Sequence, residues 1–127
     1  MELSEQVQTF LCSAPCKAIG TDGDAGLNVV PVSAIKVTAE SIQLYDFFMN
    51  KTAINLKVNG SVSLAAWEGL RGVQIRAQAQ YCEEGVEFDS AKSWAQKEFP
   101  ERTLKGLIIL TPKEIHDVSV GDQKVLV

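Results

Sequence analysis

The feature that most limits the fold of this chain is a strict alternation of apolar and polar residues from position 73 to 81. Valine, isoleucine, alanine or tyrosine stands at every odd position there, and glutamine or arginine at every even one. Because successive side chains of a β-strand point to opposite sides, this pattern predicts a strand with one face in the core. The other face would meet water, a ligand or a partner subunit.

Shorter strand-like runs recur along the chain, and mostly short, turn-rich loops connect them, which indicates a mainly antiparallel sheet. Helical spacing predicts three short helices, at 3–11 with Ser4 near its start as a cap, at 50–58 and at 88–99. The 127 residues fit one domain, 1–127, and a closed or nearly closed barrel with outer helices is the economical architecture. The predicted strands are 16–21, 27–37, 42–48, 61–67, 73–81, 107–110 and 115–120.

The strand predicted over 27–37 has a proline near its middle, Pro31. Proline has no backbone N–H to donate to a neighbouring strand. A proline inside a strand therefore indicates a sheet edge, a bulge or a local break in pairing. Because bulges often lie beside functional sites, the segment 30–33 is a candidate for contact with a ligand.

The composition argues against several classes of partner. The net charge is −4, whereas a nucleic-acid partner requires a clustered basic surface. No segment approaches the roughly 20 apolar residues that a membrane-spanning helix needs. Residues 1–6 lack the basic and apolar regions of a signal peptide, so we expect a cytoplasmic protein.

Side chains that commonly carry catalysis are few. Cys12, Cys16 and Cys82 match no standard zinc-site spacing, and we interpret them as reduced thiols without a metal. The one histidine, His116, lies in a late strand and is interpreted as a surface or hydrogen-bonded residue. Neither a glycine-rich nucleotide motif nor a serine-nucleophile motif occurs. The sequence therefore predicts no metal site and names no catalytic residue.

A lysine lies at an unexpected place, the start of the short helix predicted over 50–58. The first turn of a helix carries partial positive charge and free N–H groups, so a lysine there is unfavourable. It becomes favourable when an anion neutralises both the helix end and the charge of Lys51. Thr52 could add a hydroxyl donor, and Asn55 an amide donor on the same side of the helix. These residues alone favour neither interpretation of Lys51, as part of a phosphate site or as a solvated surface lysine.

The order of these motifs resembles that of the FMN-binding split-barrel proteins related to pyridoxamine 5′-phosphate oxidase. The resemblance covers roughly residues 5–120. It rests on LNVVPVS at 27–33, IQLYD at 42–46, KTxxNL at 51–56, GVQIRxxA at 72–79 and RxxKGLIILTPKEI at 102–115.

The resemblance implies a mainly β fold, a six-stranded antiparallel split β-barrel of Greek-key topology with two or three short flanking helices. It also implies a homodimer with FMN at the subunit interface. Lys51 and Thr52 would hold the phosphate with help from Asn55, and the strand at 30–33 would line the isoalloxazine ring. The implied FMN-binding residues are Val30, Pro31, Val32, Ser33, Asp46 and Phe47 beside the flavin, Lys51, Thr52, Asn55, and Gln74 at its polar edge, from the same or the other subunit.

The sequence departs from true pyridoxamine 5′-phosphate oxidases. Ala77 replaces the usual glycine, fewer cations are present for the phosphate, and the C-terminal Arg-x-His segment that grips the substrate is absent. The chain is similar instead to small flavoproteins of the group, in which a short tail, here 125–127, can cover the partner's flavin.

We therefore expect a flavin-dependent oxidoreductase or electron carrier whose partner is a small molecule or a redox protein, and in which FMN carries the chemistry. The alternatives are a non-catalytic flavin-binding or sensing module, and a split barrel that binds another phosphorylated cofactor.

Overall fold

The computed structural model describes residues 1–126, which form seven strands and three helices. The helices are α1 (Glu5–Ser13), α2 (Asn50–Leu56) and α3 (Val86–Glu98). The strands are β1 (Cys16–Thr21), β2 (Asn28–Pro31), β3 (Ile35–Val37), β4 (Ile42–Asp46), β5 (Ser61–Glu68), β6 (Arg71–Cys82) and β7 (Gly106–Asp117).

All seven strands belong to one antiparallel sheet in the order β2-β1-β5-β6-β7-β4-β3. The sheet curls into the predicted split barrel, but it has seven strands rather than six. The strand predicted over 27–37 is divided into β2 and β3. The strands predicted at 107–110 and 115–120 are one continuous strand, because a register shift opposite Arg76 and Ala77 accommodates Pro112 without ending β7.

The divided strand connects the two ends of the sheet. β2 and β3 are three residues apart in the chain, yet they lie at opposite ends of the strand order. Val32 still donates its N–H to Lys17 of β1 (2.9 Å), whereas Ala34 accepts the N–H of Tyr45 of β4 (3.4 Å). The chain thus changes its partner strand just after Pro31, which confirms the predicted break in pairing.

Two hydrophobic clusters stabilise the fold. One lies between α3 and the outer side of the sheet and includes Tyr45, Phe47 and Leu107. The larger cluster fills the barrel, and its fully buried side chains include Leu11, Ile19, Ile42, Leu44, Leu64 and Ile108. Val73 and Ile75 of β6 are also fully buried in it, which confirms the predicted alternation.

The three helices lie where the spacing predicts them, with shifted ends. Ser4 caps α1 as expected, since its Oγ accepts the N–H of Val7 at 3.2 Å. Helix α2 ends at Leu56 rather than at residue 58, and α3 begins at Val86 rather than at residue 88.

The segment after β7 folds back onto the barrel. Asp117 holds it through both carboxylate oxygens: Oδ1 accepts the N–H of Ser119 (2.8 Å), and Oδ2 accepts those of Val125 (2.7 Å) and Leu126 (2.8 Å). Val125 is fully buried in the barrel core. The expectation that this tail covers a partner's flavin is therefore wrong for Val125, which packs within its own chain, while Val127 lies outside the described residues.

These hydrogen bonds make stability depend on pH. Desolvation alone would raise the pKa of Asp117, but the donors from Leu126, Ser119 and Val125 favour the charged form and bring the pKa well below its ordinary value. A carboxyl with a lowered pKa stabilises the folded state above its unfolded pKa, and this contribution is lost as the pH falls through the folded pKa.

We expect Asp117→Asn to lower the free energy of unfolding at neutral pH by about 1–2 kcal/mol, because charge-assisted hydrogen bonds are lost. The difference from the wild type should shrink in strong acid, where the wild-type carboxyl is also neutral. Denaturant unfolding at a series of pH values measures it, with Asp122→Asn in the same tail as the control. A difference that does not change with pH would contradict this role.

Candidate functional site

The turn after β4 is held by a buried carboxylate, Asp46. Its Oδ1 accepts the N–H of Met49 (2.6 Å) and its Oδ2 accepts the hydroxyl of Tyr81 (2.6 Å). The backbone oxygen of Asp46 accepts the N–H of Lys105 (2.8 Å). Asp46 thus fixes the start of α2 relative to β6 and to the segment before β7.

Tyr81 reaches Asp46 across Gly106. A Cβ atom on Gly106 would lie 2.2 Å from Cζ of Tyr81, so only glycine leaves room for the ring. Burial, followed by the hydrogen bond to Asp46 and its charge, raises the pKa of Tyr81, and the hydroxyl remains protonated as the donor. The sequence analysis missed this contact, because no local pattern indicates that residues 46, 81 and 106 meet.

Two lysines lie at the start of α2. Lys51 is exposed, and Nζ of Lys105 donates to Oδ1 of Asn50 at 3.3 Å. Thr52 and Asn55, in contrast, are fully buried. Exposure divides the three predicted phosphate residues of α2: packing leaves Lys51 in solvent and places Thr52 and Asn55 inside, and their joint contact with a phosphate stays a prediction.

Asn55 connects α2 to the loop between β1 and β2. Its Nδ2 donates to Oγ1 of Thr21 (3.1 Å) and to the backbone oxygen of Gly26 (2.7 Å), and its Oδ1 accepts the N–H of Ala25 (2.8 Å). Both amide hydrogens are therefore engaged within the chain. A direct bond from Asn55 to a phosphate stays a prediction; its contacts here anchor the loop.

Thr52 lies beside the start of β2, the strand that leads into residues 30–33. Nδ2 of Asn28 donates to Oγ1 of Thr52 (3.1 Å). The remaining predicted residues of this segment differ in exposure: Pro31 and Ser33 are exposed, Val30 is half-buried and Val32 is buried.

Phe47 lies in the cluster under α3. Its ring meets Phe99 edge-on at 5.6 Å, and the guanidinium of Arg102 lies 5.3 Å from the Phe47 ring and 4.4 Å from the Phe99 ring. Phe47 is therefore part of the packing that supports the turn after β4. Arg102 is a further cation of this region that the sequence analysis did not assign.

Gln74 lies on another part of the barrel. It is on the outer face of β6, where its Nε2 donates to Oγ of Ser63 (3.1 Å). Its register partner on β7 is His116, whose Nε2 lies 3.0 Å from Oε2 of Glu114; Arg76 also pairs with this carboxylate, at 3.5 Å. The structure therefore packs α2, with Lys51, Thr52 and Asn55, against β2, which ends at Val30 and Pro31, whereas Gln74 bonds to β5.

Two cavities of comparable size open on the surface. The first, here called the α3 groove, has a volume of about 600 Å³ and lies between α3 and the β3–β4 hairpin. Its lining includes Lys36, Gln43, Tyr45, Glu87, Ser90 and Trp94. The second, here called the outer-face groove, has a volume of about 500 Å³ and is lined by parts of β1, β2, β5 and β6 and by the loop before β2. Its lining includes Leu27 of that loop, Val29 of β2 and Ser63 of β5.

Residues 1–126 contain no group of three or more histidine, cysteine, aspartate or glutamate side chains that could hold a metal ion. In the same residues Cys12, Cys16 and Cys82 form no disulfide. None of the three described helices is both long enough and apolar enough to cross a bilayer.

The family model of pyridoxamine 5′-phosphate oxidase matches residues 3–119 of this chain. The fold is that of a split barrel, and the chain belongs to the pyridoxamine 5′-phosphate oxidase family. Its sequence matches none of the curated proteins with which it was compared.

Three solved structures show the same fold. HupZ of Group A Streptococcus is 20% identical with a TM-score of 0.82, and the match covers 94% of this chain and 96% of HupZ. An FMN-binding protein of Syntrophomonas wolfei is 18% identical with a TM-score of 0.77, covering 92% and 86%. The haem storage protein HutZ of Vibrio cholerae is 18% identical with a TM-score of 0.67, covering 91% and 94%.

Removal of the Tyr81 hydroxyl tests the link between the turn and the barrel. We expect Tyr81→Phe to lower the free energy of unfolding by about 1–2 kcal/mol, because the buried Asp46 carboxylate loses a donor. Denaturant unfolding measures the change. Tyr45→Phe is the matched control, since the Tyr45 hydroxyl has no hydrogen-bond partner within residues 1–126. Equal losses in the two variants would contradict this account.

Proposed function

We propose that this protein is an FMN-binding flavoprotein of its family and holds the cofactor phosphate at the start of α2. The observation that carries the proposal is the pair of lysines there. Lys51 is exposed, Lys105 donates to Asn50, and neither lysine belongs to an ion pair within the described chain. Cations beside a fixed turn attract a phosphate, and charge-assisted hydrogen bonds are the stronger kind.

The turn beside which these two lysines lie is held by hydrogen bonds within the chain before any ligand binds. Asp46 is buried and bonded to both Met49 and Tyr81. A preorganised site loses less conformational entropy on binding than a mobile one. In this proposal Asp46, Phe47, Thr52 and Asn55 position the turn and its neighbours, and Lys51 and Lys105 meet the phosphate.

The isoalloxazine ring would lie along residues 30–33, which run beside α2. Pro31 and Ser33 are exposed there, and Val32 is buried beneath them. An exposed backbone between two partner strands can approach a flat ring closely. The similarity in fold to an FMN-binding protein of Syntrophomonas wolfei is in keeping with this assignment.

A homodimer is the second part of the proposal. Leu27 is 87% exposed and Val29 is 71% exposed, and both border the outer-face groove. Large exposed apolar side chains on one face commonly mark an interface. Gln74 lies on β6 with the same outward orientation, so a partner copy packed on this face would supply its Gln74 to the flavin.

When bound, FMN would supply hydride or single-electron transfer. The protein's own residues would bind and orient it and limit its contact with water. The one carboxylate among the predicted cofactor residues, that of Asp46, accepts hydrogen bonds from Met49 and Tyr81 and is not free to act as an acid or base. We therefore propose an oxidoreductase or electron carrier of the cytoplasm, with a small molecule or a redox protein as partner.

His116 favours a second candidate, haem. Its ring nitrogen lies 3.0 Å from Glu114, and a carboxylate partner orients an imidazole for metal ligation. HutZ, which has a similar fold, is described as a haem storage protein. The absorption spectrum of purified protein titrated with FMN and with haemin distinguishes the two: binding of haemin alone would reject the flavin proposal.

The charge at position 51 can be tested directly. We expect Lys51→Ala to weaken FMN binding by roughly 1.5–3 kcal/mol, about 10- to 150-fold, because one charge-assisted contact is lost. Quenching of flavin fluorescence during titration measures the affinity. Lys57→Ala, which removes a lysine paired with Glu83 one residue after the end of α2, is the control. Unchanged affinity for Lys51→Ala would contradict the phosphate role.

The proposed interface makes a separate prediction. We expect Val29→Glu to give a monomer that has lost most FMN affinity, because a charge would be buried between the copies. Size-exclusion chromatography with light scattering measures the mass. Val58→Glu changes an exposed valine that does not line the outer-face groove and should leave the dimer intact. A wild-type monomer that holds FMN would reject the interface site.

A further inference from the structure

We propose that the α3 groove binds a small flat aromatic molecule that carries one acidic and one basic group. The groove shares no lining residue with the side chains assigned above to FMN or to the dimer. The inference therefore does not depend on the proposed function, and either one can fail without the other.

Tyr45 gives the first reason to expect a ligand. Its side chain is only 4% exposed and borders the groove, and its hydroxyl makes no hydrogen bond within residues 1–126 but is open to solvent. The hydroxyl is therefore free to bond to a molecule in the groove. Burial raises the pKa of Tyr45, so the hydroxyl is a donor at neutral pH. A ligand oxygen in the groove would accept a hydrogen bond from this hydroxyl.

Trp94 gives the second reason, because it offers a fixed aromatic surface. Its ring stacks on Tyr45 with the centroids 4.7 Å apart and an interplanar angle of 27°, and it meets Phe99 edge-on at 5.8 Å. These two contacts hold the indole in place. Trp94 is nevertheless 39% exposed, so part of this large apolar side chain is available for stacking.

The charges on the two walls define the class of ligand. Lys36 and Gln43, which are register partners on β3 and β4, form the strand wall. Glu87 and Ser90 form the helix wall. Neither Lys36 nor Glu87 belongs to an ion pair of the described chain. A carboxylate on the ligand would face Lys36 and an ammonium group would face Glu87, with the ring between them.

The dimensions of the groove agree with a small ligand. About 600 Å³ lies within the usual range for small-molecule sites, in which a few polar groups orient a mainly apolar molecule. The lining here has that composition, since the aromatic and aliphatic side chains of Ile35, Tyr45, Val86, Ala91 and Trp94 stand beside four polar ones.

Calorimetric titration with 4-(aminomethyl)benzoate tests the proposal on the full chain as purified. We expect saturable binding, about tenfold tighter than that of benzoate or benzylamine, which each keep one of the two charges. Lys36→Gln should remove the advantage over benzylamine, and Glu87→Gln the advantage over benzoate. Absence of saturable binding of all three compounds up to about 10 mM would overturn the proposal.

A matched pair of variants locates the binding. Ser90 lines the groove, whereas Ser93 lies on the same helix, is also exposed and does not line it. We expect Ser90→Phe to abolish binding by filling the groove and Ser93→Phe to leave it unchanged. Circular dichroism and the melting temperature establish that both variants fold. Binding that survives Ser90→Phe would overturn the assignment to this groove.

The two tryptophans provide an independent measurement. Trp67 lies on β5 and does not border the α3 groove, so Trp67→Phe leaves Trp94 as the only indole. Saturation with 4-(aminomethyl)benzoate should change the Trp94 emission along the same curve as the calorimetric titration. Saturable binding without any change in that emission would place the ligand elsewhere and overturn the proposal.

Discussion

The change of partner strand just after Pro31 is the constraint on which the rest of the structure depends. Proline cannot donate to a ladder, and three residues later the chain has left β1 and joined β4. One short segment therefore connects the two ends of the sheet. It also follows β2, which packs against α2, and leads directly into Ile35 and Lys36, which line the α3 groove.

Much of this fold was predictable because its signals are local. Alternation along β6, the Ser4 cap and the break at Pro31 each depend on a few neighbouring residues. The strand order was not predictable in this way, since the pairing of β4 with β7 joins residues 60 to 68 positions apart. Pro31 in the sequence indicated that the strand predicted over 27–37 would be interrupted. Nothing local indicated that 107–110 and 115–120 form one strand, because that depends on pairing with β6.

The candidate site was predicted only in part, because helical spacing indicates neighbours along α2 but not the tertiary contacts that each side chain makes. Spacing along α2 placed Lys51, Thr52 and Asn55 together, but packing against β1 and β2 divides them between solvent and interior. Lys105 and Tyr81 could not be assigned from the sequence, because they reach Asn50 and Asp46 across 55 and 35 positions. Several residues expected to touch a ligand, among them Asp46, Asn55 and Gln74, already make hydrogen bonds within the chain.

The position of β7 has a consequence for synthesis of the chain. It is the last strand to leave the ribosome, yet it lies between β6 and β4 in the finished sheet. Until residues 106–117 emerge, β4 and β6 each present an unpaired edge, and such edges pair readily with other chains. Closure of the barrel is thus a late event, and until then these two edges are sites on the nascent chain where pairing with other chains can begin.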